Sequence, residues 1–232
     1  MTVRIGVVVF PGSNRDIDAV NSLEVAGAEP VMLWHDDVSL DGAAGILLPG
    51  GFAYGDYLRA GALARFSPVM ESVIRFAMDG GPVLGICNGF QVLLEAGLLP
   101  GAVRVNRGLR YICRDVYMRV ENASTAFTRL YEPGEVVKMP IGHMEGNYTA
   151  PPETLDALER EGRVAFRYCD ADGRVTDEAN PNGAAANIAG ITNREGNVVG
   201  LMPHPDRCSE AVLGNDVGRK MFESAVVALA AR

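Results

Sequence analysis

A run of apolar residues that stops on a cysteine between two glycines sets the strongest limit on how this chain can fold. Val83-Leu84-Gly85-Ile86-Cys87-Asn88-Gly89-Phe90-Gln91 reads as a short buried strand that turns at once into a helix. Gly85 and Gly89 carry no Cβ, so strand and helix can approach closely around Cys87, as in the Gly-x-nucleophile-x-Gly elbow with Cys at its centre. Such a turn pushes one side chain out at the C-terminal edge of a sheet. The positive end of the following helix favours a thiolate there. The plainer reading of the same residues is a buried cysteine in an ordinary strand–helix unit.

Far downstream, Pro203-His204-Pro205-Asp206 follows another apolar run. A residue before proline is pushed to extended geometry, and in an extended segment residues two apart share one side. His204 and Asp206 are therefore expected to project together, as a base and the carboxylate that orients it.

The elements between these motifs alternate. Val3 to Phe10, Pro30 to Trp34, Gly45 to Leu48 and Pro82 to Ile86 read as strands; helices are expected from about Ile17 to Gly27, from Ser67 to Asp79, and from the elbow to near Gly97. After Pro100 the pattern is mainly strand-like, over Arg114–Val120, Val136–Pro140, Val164–Tyr168, Ile188–Thr192 and Val198–Met202, before a last helix near Gly218–Ala231. This order implies one α/β domain over 1–232: a largely parallel central sheet with flanking helices and antiparallel additions. Active residues are expected at the C-terminal ends of the strands.

Composition narrows the function. The 48% hydrophobic and 22% charged content is that of a globular chain, and a net charge of −8 offers no basic stripe for nucleic acid. No apolar run approaches a membrane span, and the Met1–Arg4 start has no signal-peptide profile. Cys87, Cys113, Cys169 and Cys208 show neither CxxC nor metal-ligand spacing, so no metal is expected. They read as free thiols of a reducing, cytoplasmic compartment, with Cys113, Cys169 and Cys208 assigned to packing.

Several loops could serve the elbow. Pro49-Gly50-Gly51-Phe52 follows a strand and matches no dinucleotide or Walker pattern. Beside a nucleophile, the backbone N–H of Gly51 or Phe52 would form one wall of an oxyanion hole and that of Asn88 the other. Pro11–Arg15 reads as a turn or an anion loop, and His35 as a solvated residue. Ile141–Tyr148, with His143, reads as a flexible polar stretch suited to substrate contact or to structure.

Gly85–Gln91 together with Pro203–Asp206 resembles the class I (triad) glutamine amidotransferases, whose sheet is flavodoxin-like. Gly50–Arg59, Leu109–Asn122, Glu145–Tyr148, Asn180–Gly183 and Asn187–Ile191 resemble one branch of that family. This branch comprises the amidotransferase subunits of phosphoribosylformylglycinamidine synthase. The likeness implies Cys87 as nucleophile, His204 as base and Asp206 as third member, with Gly50, Gln91 and His143 on the glutamine. It also implies L-glutamine as substrate, with no cofactor on this chain. ATP and magnesium would sit on a large synthetase subunit, accompanied by a small accessory subunit. The family usually carries Glu at Asp206 and Ala-His-Gly-Glu where this chain has Gly142-His143-Met144-Glu145. Other ammonia-using synthases would need a similar subunit. A DJ-1-like redox sensor or chaperone shares the elbow, but typically places His where Asn88 stands.

Overall fold

Val3 to Phe10 forms a strand, β1 (Arg4–Val9), with five of its six residues buried, as a strand covered on both faces must be. The computed structural model describes residues 2–231, so Met1 and Arg232 lie outside the description. Around β1 stand β2 (Glu29–Trp34), β3 (Gly45–Leu48), β4 (Val83–Ile86) and β11 (Val198–Leu201), all parallel, in the order β2-β1-β3-β4-β11. The sheet then reverses. β10 (Ile188–Thr192), β9 (Val164–Cys169), β6 (Ile112–Val120) and β7 (Val136–His143) continue it as antiparallel strands, nine in all among the described residues. The expected parallel sheet with antiparallel additions is therefore the architecture found.

The helices are α1 (Asp16–Val25), α2 (Pro68–Met78), α3 (Asn88–Glu95), α4 (Pro152–Arg160) and α5 (Arg219–Ala230). α2 begins with Pro at its first position, after Ser67, as its sequence requires. α3 is buried at seven of its eight residues because it packs on β3, β4 and β11. None of the helices among the described residues is long and apolar enough to cross a membrane.

Three elements departed from the sequence reading. β5 (Ala102–Val105) and β8 (Glu145–Thr149) form a separate two-stranded antiparallel ribbon. β5 is mostly exposed and so lacks the apolar alternation that marks a strand. α4 buries only Leu158, too narrow a stripe to announce a helix. The stretch around His143 is no flexible loop: β7 ends on His143, β8 starts at Glu145, and both His143 and Gly146 are buried.

Candidate active site

β4 and β11 lie side by side in parallel register, Ile86 opposite Leu201, so they deliver Cys87 and His204 to one edge of the sheet. The Cys87 N–H donates to Leu201 O at 2.8 Å, which ties the elbow to the strand that leads to the histidine. Cys87 itself sits at φ 51° and ψ −105°. Such backbone costs a non-glycine residue about 1–3 kcal/mol and persists only where its surroundings enforce it. Its two glycines are steric necessities: a Cβ would stand 1.9 Å from Leu48 O at Gly89, and 2.5 Å from Leu93 Cδ1 at Gly85.

His204 is extended, at φ −107° and ψ 91°, but Pro205–Arg207 closes into a single 3₁₀ turn rather than continuing as a strand. That turn, not extended alternation, carries the Asp206 carboxylate back to the ring. His204 Nδ1 donates to Asp206 Oδ1 at 3.1 Å, so the shorter acid reaches its histidine, and both side chains are buried. Fixing the proton on Nδ1 leaves Nε2 free to serve the reacting atoms. Burial lowers the affinity of the ring for a second proton. The charges of Asp206 and Cys87 and the bonds they make outweigh it and carry His204 up to about 10. A Cβ on Gly50 would fall 2.6 Å from His204 Cε1, so a glycine at this position lets the ring lie against the backbone.

The oxyanion candidates separate. The Phe52 N–H donates to Gly12 O at 2.9 Å, so it is not available to a substrate, and Phe52 offers only its exposed ring. Neither the Gly51 nor the Asn88 N–H has an acceptor among the described residues, and Asn88 opens α3. The Asn88 side chain does a different job. Its Oδ1 accepts from Ala53 N at 3.0 Å, while its Nδ2 donates to Gln91 Oε1 at 2.9 Å and to Asp56 Oδ1 at 3.2 Å. Gln91 Nε2 passes the chain on to Glu145 O at 2.6 Å. Glycine loop, nucleophile helix and β8 are thereby cross-linked. Both ends of the Gln91 amide are engaged within the protein, so it shapes the wall of the site.

Two cavities meet at Cys87. The outer, of about 270 Å³, is lined by Cys87, His204, Arg15, Arg207, Tyr111 and Cys113. The inner, of about 40 Å³, is lined by Cys87, Gly51, Gln91, Asp56, Glu145 and His143. Asn14 and Arg15 of the Pro11–Arg15 turn reach the outer cavity, and the turn is laced to Gly50 by backbone bonds. Burial, then His204, pushes His143 down to about 4, so it stays neutral. Its Nδ1 faces Asn106 Oδ1 at 3.2 Å, and its buried Nε2 has no hydrogen-bond partner.

Sequence reasoning passed over Asp56, Tyr111 and Asn106. Asp56 lies in a segment where Tyr54, Gly55, Asp56 and Leu58 all have positive φ. Burial and then Glu145 raise it to about 6, against a bond from Asn88 that lowers it. Asn106 is fully buried inside a sequence that looks like an exposed turn, and no local signal marks it. Two assigned residues also stand elsewhere than expected. Cys113 is exposed and lines the outer cavity instead of packing. His35 is largely covered, its Nδ1 2.9 Å from the Tyr54 hydroxyl, which also meets Ser67 Oγ at 2.9 Å. Cys169 and Cys208 are buried and free, as assigned. Among the described residues no group of His, Cys, Asp and Glu could hold a metal ion.

Comparison with known proteins agrees with this geometry. Residues 2–227 match the model of the CobB/CobQ-like glutamine amidotransferase domain. Phosphoribosylformylglycinamidine synthase subunit PurQ of Chlorobium luteolum is 59% identical over 223 residues, 96% of either chain. The same subunit of Moorella thermoacetica is 55% identical, over 97% of this chain and 95% of its own. A chain in the structure of PurLQS from Thermotoga maritima superposes with a TM-score of 0.87 at 42% identity, covering 99% of this chain and 100% of that one. With a cysteine elbow, a buried His–Asp pair and these relatives along its length, the chain belongs to the CobB/CobQ-like glutamine amidotransferases, within the family of PurQ subunits.

Proposed function

We propose that the Cys87–His204–Asp206 cluster hydrolyses L-glutamine and that the ammonia passes to a synthetase subunit. The chain is the glutamine amidotransferase subunit of a phosphoribosylformylglycinamidine synthase, an enzyme of purine biosynthesis. The observation that carries the chemistry is the adjacency of β4 and β11, which sets the elbow cysteine beside a histidine already held by a buried carboxylate.

The Cys87 thiolate attacks the side-chain amide carbon of glutamine, and the N–H groups of Gly51 and Asn88 stabilise the oxyanion. His204 gives its proton to the departing nitrogen, so ammonia leaves and a γ-glutamyl thioester remains on Cys87. His204 then takes a proton from water, whose oxygen attacks the thioester and frees glutamate. Asp206 holds the ring in the productive tautomer throughout. The inner cavity takes the amino-acid end of the substrate, its ammonium facing the Asp56 and Glu145 carboxylates and a donor group facing His143 Nε2. The outer cavity, lined by His204, receives the ammonia. ATP and magnesium belong to the synthetase, which works with a small accessory subunit, and the complex is cytoplasmic.

A glutamine-mimicking electrophile should add mass at Cys87 alone. Cys87→Ala should lower ammonia release from glutamine about a thousandfold or more, while ammonia-driven synthesis by the assembled complex survives. Cys113 shares the cavity, so it is the internal control. Labelling of Cys113, Cys169 or Cys208 with Cys87 untouched overturns the assignment.

A further inference from the structure

From residue 104 to 114 the chain carries Arg104, Arg107, Arg110 and Arg114 and not one acid, although its net charge is −8. All four arginines are exposed, and none forms an ion pair among the described residues. Apolar side chains stand out beside them: Tyr57 is 73%, Leu58 87% and Leu109 73% exposed. Leu58 and Leu109 are held outward on positive-φ backbone, at 70° and 51°. Both the conformation and the exposure are unfavourable for leucine unless something covers it. Between them runs a groove of about 550 Å³ bordered by Leu58, Arg104, Arg107 and Leu109. Arginine and tyrosine around a small apolar centre is the composition of protein interfaces, not of ordinary surface.

We infer that this basic, apolar turn is the docking surface for an acidic face of the synthetase subunit, and that Asn106 carries the docking inward to the reaction site. The inference rests on the amidotransferase reading above. The same turn supplies Tyr111 to the outer cavity, so a protein seated on it stands over the place where ammonia is released. A second copy of this acidic chain would match the charge, yet it would stop that mouth without an acceptor for ammonia.

The inward link is a set of hydrogen bonds. Asn106 Nδ2 donates to Arg110 O and to His143 O, both at 2.9 Å, and its Oδ1 accepts from Gly146 N at 3.0 Å besides facing His143 Nδ1. One buried amide thus joins the exposed turn to the wall of the inner cavity, and a shift of the turn moves His143.

The test uses the full chain with Arg104, Arg107 and Arg110 all changed to Glu, titrated against the purified synthetase with its accessory subunit. The affinity of the wild-type chain should fall with added salt. The triple variant should bind at least about a hundredfold more weakly and lose that salt dependence, while its glutaminase rate in isolation stays within about twofold. Leu58→Ser with Leu109→Ser probes the apolar part without changing charge and should weaken binding about tenfold. Equal binding by both variants and the wild type overturns the docking surface while leaving the amidotransferase reading intact. Failure of the wild-type chain to bind synthetase or to hydrolyse glutamine overturns that reading and the docking surface with it. A wild-type dimer in light scattering that the triple variant dissolves assigns the face to a second copy and also overturns the inference.

Discussion

In the parallel half of the sheet, β4 and β11 lead into Cys87 and His204, the side chains to which the proposed function assigns the making and breaking of bonds. In the antiparallel half, β6 and β7 with the β5–β8 ribbon bring Tyr111, Gly142, His143 and Glu145 to the two cavities, where the proposed function gives them no covalent part. The halves also differ in how they are held. The catalytic half is fixed by backbone ladders and close glycine approaches, where a single added methyl collides with a main-chain carbonyl. The wall half has its own ladder, eight residue pairs between β6 and β7, but it is joined to the exposed turn and to the helix after Cys87 by the side-chain amides of Asn106 and Gln91. A side-chain bridge allows the wall to respond to what docks outside it.

The largest effect that tests this division is in the parallel half. Asp206→Asn keeps the shape of the turn but removes the charge that holds the tautomer of His204. Turnover should fall about a hundredfold or more with KM little changed. Asp206→Glu, the usual residue of the family, should retain more activity than Asn despite crowding a fully buried site. Steady-state glutaminase kinetics of the complex check both. A rise in KM with turnover intact would place Asp206 on the substrate side and break the division.

Asn106→Ala sharpens the comparison from the antiparallel side. It removes the acceptor of Gly146 N and the donor to two carbonyls, so melting experiments should show a loss of about 1–3 kcal/mol. Because His143 loses its support, KM for glutamine should rise about tenfold while turnover changes much less. A fall in turnover as large as that of Asp206→Asn, at constant KM, would mean that the wall takes part in the chemistry.

The two halves were unequally legible for the same reason. Gly85, Cys87 and Gly89 announce themselves because a tight elbow tolerates no other spacing, and β3 falls on the residues its apolar run marks. Pro203-His204-Pro205-Asp206 disclosed its pair, though by way of a 3₁₀ turn instead of a strand. Asn106, Asp56 and Tyr111 stayed hidden because each gains its role from a partner distant in sequence, as Asn106 does from His143 and Gly146. Phe52 misled for a related reason: only the neighbouring turn reveals that its N–H is already engaged by Gly12. His143 looked mobile because polar residues and glycine surround it, yet it closes a strand within the sheet.

The smallest effect concerns Asp56, where wall and glycine loop meet. Burial, and after it Glu145, raises this carboxyl from 3.8 to about 6, so the folded chain holds its proton more tightly than the unfolded chain. Its contribution to stability is therefore full below about pH 3.8 and lost as the pH rises through about 6. Above that, an ionised and partly buried Asp56 faces Glu145 without a cation. Asp56→Asn removes this repulsion, so the variant should melt higher than wild type at pH 8, with the gap closing as the pH falls to 4. If the substrate ammonium neutralises the pair, the same change should raise KM at pH 8 by about tenfold or less, because a half-exposed charge is screened. Wild-type KM should climb as the pH drops below about 6, and that of the variant should not. A variant whose melting gap is the same at pH 4 and pH 8 would show that Asp56 is not held protonated by its surroundings.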